Sequence, residues 1–222
     1  MRRRTMLGIF AAAAGGGYLY RDTTPAETTE PTPPGDAKAG GEGGLRTETD
    51  PEPSAQPDTQ GFDSEKIEDR FLERFNAMRE REKAGGVYRD RILSEMGQAH
   101  AENMAEHDYI GHTQPDSGMT IEDRFERRGL MPQCELPAGD GSGEYYPGAE
   151  NVAGAAVGRV QHPGSDETFT IADNDDVARF LMDSWMSSPG HREVMVLQSV
   201  ESIGLGVAIR DDGEIFAALQ FC

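Results

Sequence analysis

The chain closes on two apolar runs, Ile203-Gly204-Leu205-Gly206-Val207-Ala208-Ile209 and Ile215-Phe216-Ala217-Ala218-Leu219-Gln220-Phe221, with Arg210-Asp211-Asp212-Gly213 between them. Strand-forming residues on both sides of an Asp-Gly turn predict an antiparallel hairpin. The clearest earlier patterns are helical. Ile67, Phe71, Phe75 and Met78 predict a helix over Ser64 to Ala84, ended by Gly85-Gly86. Ile92, Met96, Ala99, Asn103 and Met104 predict a second over Asp90 to His107, and Thr120-Ile121-Glu122-Asp123 opens a short third, closed by Gly129. The stretch from Leu130 to Ala149 reads as a loop too polar for core, with a strand beginning at Asn151. Acidic residues Asp173 to Asp176 open a fourth helix, carrying Val177, Phe180, Leu181 and Trp185, where negative charge favours the first turn. Helices first and a hairpin last predict an α+β domain, with helices packed over a small antiparallel sheet.

That domain is expected at 63–222. Residues 22–62 contain almost no large apolar side chains but many Pro, Thr, Gly and acidic residues, so they predict a disordered linker. Residues 1–21 pair Arg2, Arg3 and Arg4 with an apolar run from Met6 to Tyr20, the form of a signal sequence or an N-terminal membrane anchor. Arg3-Arg4-Thr5-Met6-Leu7 is similar to the twin-arginine export pattern. With no small-x-small cleavage site evident, a tether through residues 5–20 and a cleaved signal both stand. The predicted location is extracellular or at the cell surface.

The 222 residues carry 40 acidic against 21 basic side chains, a formal charge of -19. Such a surface repels nucleic acid and anionic membranes, which excludes both as expected partners. From Asp63 onward the count is 31 acidic and 15 basic, net -16. Self-repulsion of that size is relieved where salt shortens the screening length to about 3 Å, near 1 M. Arginine also far outnumbers lysine, which occurs only at Lys38, Lys66 and Lys83. The chain reads as a halophile's protein, archaeal in origin.

Chemistry concentrates around Asp183-Ser184-Trp185-Met186-Ser187-Ser188-Pro189-Gly190-His191-Arg192. Pro189 disfavours helical geometry at Ser188, so the fourth helix is expected to stop there and present His191 beside the break. His112, in Gly111-His112-Thr113-Gln114-Pro115-Asp116, occupies a comparable turn, and Glu150 lies in Glu150-Asn151-Val152-Ala153. His100 reads as a packing residue inside a helix, His107 as a helix-end charge and His162 as an exposed loop residue. Trp185, Phe180 and Phe125 read as core. Ser188 lacks the surroundings of a nucleophile elbow and suits capping or turn chemistry.

Taken in order, these segments resemble the CAP superfamily of cysteine-rich secretory proteins, antigen 5 and plant pathogenesis-related proteins, in its prokaryotic branch. Phe75-Asn76-Ala77-Met78-Arg79, Ala99-His100-Ala101-Glu102-Asn103-Met104-Ala105 and Asp123-Arg124 carry part of the resemblance. The two histidine motifs and Glu150-Asn151-Val152-Ala153 carry the rest, with Ala149 in place of the family's glycine. The resemblance implies a three-layer α-β-α sandwich whose cleft is lined by His112, Glu150, Ser188 and His191, with Ser188 at a position where the wider family has an acid. His112 and His191 are then the candidate ligands for zinc or another divalent cation, completed by water or Glu150. Glu150 has a second possible task, holding one imidazole or its own loop in place. The function implied is a non-catalytic module for a lipid, glycan or peptide. The alternative is a metal-dependent hydrolase or protease with Glu150 as base, and no HExxH helix supports it.

Two cysteines, Cys134 and Cys222, are too few for a disulfide scaffold and lack metal-site spacing. In a cytosolic chain they would stay thiols; in an exported one they close a single bridge, which the N-terminus favours.

Overall fold

The computed structural model describes residues 57–137 and 145–222. The targeting segment at 1–21 and all but the last few residues of the linker at 22–62 lie outside them. Among the described residues no helix is long and apolar enough to cross a membrane.

The element order is α1 (Ser64–Glu82), β1 (Tyr88–Arg89), α2 (Arg91–His107), α3 (Ile121–Arg127), β2 (Glu135–Pro137), β3 (Tyr145–Pro147), β4 (Ala149–Ala156), β5 (Gly158–Gln161), β6 (Thr168–Ile171), α4 (Asn174–Ser187), α5 (Pro189–Met195), β7 (Ser202–Ile209) and β8 (Glu214–Phe221). One four-stranded sheet, ordered β1-β7-β8-β4, forms the middle layer. Its three long strands are antiparallel, and the two-residue β1 runs parallel to β7. β2–β3 and β5–β6 form separate two-stranded hairpins. This is the α+β, three-layer architecture that the sequence implies.

Strand alternation sorts the layers. Ile203, Leu205 and Val207 of β7, with Ile215, Ala217, Leu219 and Phe221 of β8, join Ile67, Phe71 and Phe75 of α1 and Leu181 and Trp185 of α4 in the main core. The opposite face carries Phe216 and Ala218, packed with Val152 and with Met104 of α2. There α2 lies unusually close. A Cβ on Gly204 would sit 2.0 Å from the Ser94 nitrogen, and one on Gly206 2.0 Å from the Gln98 nitrogen. Only glycine leaves room for a helix backbone at that distance.

The edge at β7 is closed by side chains. β1 covers only its first residues, and farther along Leu205 N–H donates to Glu68 Oε1 at 2.9 Å and Val207 N–H to Gln98 Oε1 at 3.0 Å. Capping the free edge in this way removes a template for pairing with another chain. Arg79, fully buried, spends its guanidinium on the carbonyls of Ala84, Gly85, Met195, Leu197 and Val200. It thereby ties the end of α1 to the segment between α5 and β7.

Several expectations are corrected. Helix α1 ends at Glu82 because Lys83 itself adopts the left-handed conformation (φ 59°) and returns its N–H to Arg79 and Glu80. The stretch from Leu130 to Ala149 is not wholly loop: β2 and β3 pair within it, and Leu130, Cys134 and Leu136 are buried. β4 begins at Ala149, ahead of Asn151, because Ala149 already pairs with Phe221. The hairpin β5–β6 adds to the expected elements, with Thr168-Phe169-Thr170-Ile171 alternating exposed and buried side chains. The expected bridge is present: Cys134 and Cys222 form a disulfide, with Cα atoms 4.4 Å apart and a sequence separation of 88. Closing a loop of that length contributes about 4 to 5 kcal/mol on a chain-entropy view.

Candidate functional site

The register of the sheet builds the site. Glu150 of β4 pairs with Gln220 of β8, which pairs in turn with Gly204 of β7. All three therefore belong to the face that α2 covers, and α2 brings His100 there on its buried stripe with Leu93, Met96, Gly97 and Met104. Because β4 is the sheet's outer strand, Glu150 stands at the edge, where the segment after α2 delivers His112 and α3 delivers Arg124.

The Glu150 carboxylate has no exposed surface. Its Oε2 accepts from Arg124 Nη2 at 2.7 Å and from Gln220 Nε2 at 2.5 Å. Its Oε1 accepts from His112 Nδ1 at 2.9 Å, with His100 Nε2 3.6 Å away. Burial pushes this carboxyl upward, but Arg124, then His100 and His112, outweigh it and hold the group down at about 2. Glu150 is thus ionised at any neutral pH, and every oxygen is engaged. Of the two tasks open to it in the sequence, orienting an imidazole is the one the geometry displays.

His100 is fully buried; its Nε2 donates to the Gly111 carbonyl at 2.9 Å, while Nδ1 has no partner. Burial, more than any neighbour, lowers its affinity for a proton. It is the packing residue expected inside the helix, but with one ring nitrogen unpartnered and the Glu150 carboxylate alongside. Tyr109 packs edge-on against His100 and donates its hydroxyl to Asn103 Oδ1 at 2.6 Å, and burial pushes its phenol up to about 12.

The second histidine comes from the other side of β4. Asn151 Nδ2 donates to the His191 carbonyl at 3.3 Å, and Trp185 Nε1 to the Val152 carbonyl at 3.2 Å, so α4 and α5 are pinned to the edge strand next to Glu150. Ser188 ends α4 and begins α5, with Pro189 at the first helical position, where its missing N–H costs nothing. The expected break is there, but the Ser188 hydroxyl makes no capping hydrogen bond. Burial lowers the proton affinity of His191, and the neighbouring His112 lowers it further. The structure therefore brings His112, Glu150 and His191 to one edge of the sheet.

His162 lies in the expected loop but is less exposed than expected. It is half-buried, its Nε2 lies 3.2 Å from Asp183 Oδ2, and its ring meets Phe169 edge-on, so it fastens the β5–β6 hairpin to α4. Arg124, His100 and Gln220 were missed as site residues. Gln220 left a local signal, a polar residue near the end of a buried apolar strand, and His100 and Arg124 stand in segments that resemble the family.

As a metal centre the donor set is thin. Among the described residues no group of three or more His, Cys, Asp or Glu side chains is arranged to hold a metal ion. His112 and His191 supply two imidazoles, Glu150 is already committed, and the remaining positions would fall to water or a bound molecule.

Fold and site together define an α-β-α sandwich with a buried carboxylate and histidines at one edge of its sheet. The model of the CAP cysteine-rich secretory protein family matches residues 72–221, and the chain belongs to that family. Among solved structures it is similar to an extracellular protein containing an SCP domain from Bacillus anthracis str. Ames, with 20% identity and a TM-score of 0.47. That match covers 71% of this chain and 40% of the Bacillus one, so the chain spans well under half of that protein's length. It is also similar to an outer surface protein from Borrelia burgdorferi, with 17% identity and a TM-score of 0.46, covering 75% of this chain and 96% of the other. No curated protein matches the chain.

Proposed function

We propose that the chain is an extracytoplasmic binding module of a halophile, tethered or released through its N-terminal segment after export by the twin-arginine route. Its site, between His112 and His191 with Ser188 beside them, takes a lipid, glycan or peptide, assisted by an exchangeable divalent cation such as zinc. The family's secretory description and the disulfide support an oxidising location.

The observation that carries the binding reading is the state of Glu150. A carboxylate with no exposed surface, both oxygens occupied and its proton affinity held at about 2 is a poor general base at neutral pH. The hydrolase reading needs that residue free to take a proton from water. With Glu150 committed to His112, the groups left to meet a ligand are the two imidazoles, which can hold a cation or accept a hydrogen bond. The test is metal content of the full chain purified in molar salt, followed by assay on generic peptide and ester substrates and extraction of co-purified molecules. Binding without turnover is expected. Turnover that requires Glu150 would overturn the reading in favour of the hydrolase.

A further inference from the structure

Arg124 lies behind the site and touches what shapes it. Its Nη2 donates to Glu150 Oε2 at 2.7 Å, while its Nη1 donates to the backbone carbonyl of His112 at 3.0 Å and lies 3.4 Å from that of Met119. A single guanidinium, 5% exposed, thus holds both the main chain of His112 and the carboxylate against which the His112 ring leans. Lysine offers a point charge, whereas this fork fixes two acceptors in a set geometry.

The consequence lies in the proton on His112. An ionised carboxylate only accepts hydrogen bonds, so the 2.9 Å contact between Glu150 Oε1 and His112 Nδ1 requires the proton on Nδ1. A neutral imidazole carries one proton, which leaves Nε2 as a bare lone pair. A free histidine side chain prefers the reverse tautomer, with the proton on Nε2. His100 does not compete for the same oxygen, because its Nε2 proton goes to the Gly111 carbonyl at 2.9 Å and the carboxylate is 3.6 Å away. Gln220 shares Oε2 but neither neutralises the carboxylate nor reaches the His112 main chain.

We infer that Arg124 is the positioning residue that locks His112 in its Nδ1–H form, so that the nitrogen left for a ligand, Nε2, is an acceptor. The ligand class follows. That atom receives a cation or the N–H or O–H of a glycan or peptide, and it offers nothing to a bare anion. The assignment deepens the binding reading above and rests on it for the ligand class, but the proton on Nδ1 stands on the contacts alone.

The test is a nitrogen–proton correlation spectrum of the full chain labelled with 15N-histidine, in molar KCl with a chelator present, using H112A to identify the signals. The wild type is expected to show His112 with protonated Nδ1 and unprotonated Nε2. R124M is expected to shift the majority to the Nε2–H form, and R124K to keep the Nδ1–H form as the majority. A wild type already in the Nε2–H form overturns the assignment whether or not the variants fold, as does a folded R124M with the wild-type pattern. If R124M does not fold, R124K in the Nε2–H form overturns it as well. Because no cation or ligand enters this measurement, a wild-type tautomer as assigned together with failed cation binding would sink the cation-assisted function and leave Arg124's role intact.

Discussion

Glu150 shows how a single side chain can be indispensable without meeting a ligand. Removing a carboxylate from water costs several kcal/mol, and the cost is recovered here only through Arg124, Gln220 and His112 acting together. Its pH signature has a definite sign. A folded value of about 2 lies below the unfolded carboxyl's, so the stabilisation is fully present above about pH 4.5 and is lost as pH falls toward 2. The shift from the ordinary 4.5 corresponds to about 3 kcal/mol. E150Q should flatten that acid limb. It should also cost on the order of 3 to 5 kcal/mol near neutrality, because Arg124 is left buried without its counter-charge. Urea denaturation of both proteins across a pH series at fixed salt measures this, and parallel curves would contradict it. At this scale His112, Glu150 and His191 were legible because each stands in a short motif at a turn or strand start. Arg124 was not, since Glu126, Arg127 and Arg128 around it make it look like one more solvated helix charge. Its burial follows from α3's packing against β3 and from its own reach to Glu150 of β4, which no local pattern encodes.

Among the elements, long periodic helices and the terminal hairpin could be read directly, because the period of the apolar residues fixes which face is buried. The short pairs could not. A three-residue strand such as β2 holds one buried leucine, too little to establish alternation. β1 has both residues exposed and exists because β7 is there to accept it. The closeness of α2 to the sheet was hidden for a different reason. Glycines in Ile203-Gly204-Leu205-Gly206-Val207 weaken a strand taken alone, and only the helix lying on them explains their presence. Gly206→Ala places a methyl about where the Gln98 backbone nitrogen lies, 2.0 Å away, and backbone cannot rotate aside. The expected loss is about 2 to 3 kcal/mol of unfolding free energy. Gly213→Ala is the wrong control, because Gly213 has a positive φ of its own. Gly61→Ala, with nothing within 4 Å, is the appropriate one and should change stability little. Equal losses in the two variants by thermal or urea unfolding would show that the contact does not matter.

For the whole molecule, charge sets the conditions under which the rest operates. A net -16 from Asp63 onward is offset only locally, at places such as Arg210, which lies between Asp108, Asp212 and Glu214. Most ion pairs sit on exposed side chains and contribute at most about 1 kcal/mol each. The chain is therefore predicted to fold cooperatively in molar KCl and to lose stability steeply below a few hundred millimolar, where the screening length exceeds about 5 Å. Circular dichroism across a KCl series checks it, and full cooperative folding at about 50 mM would count against the halophile reading.

His112 and His191, far apart in the chain, are proposed to meet at the edge of β4 as one binding site, with Glu150 and Arg124 behind them. Calorimetric titration of the full chain with cobalt or zinc in molar KCl, alongside H112A and H191A, addresses it most directly. One cation per wild-type chain is expected, held weakly because only two protein ligands are free, with that binding lost in both variants. Binding that survives either substitution would contradict it.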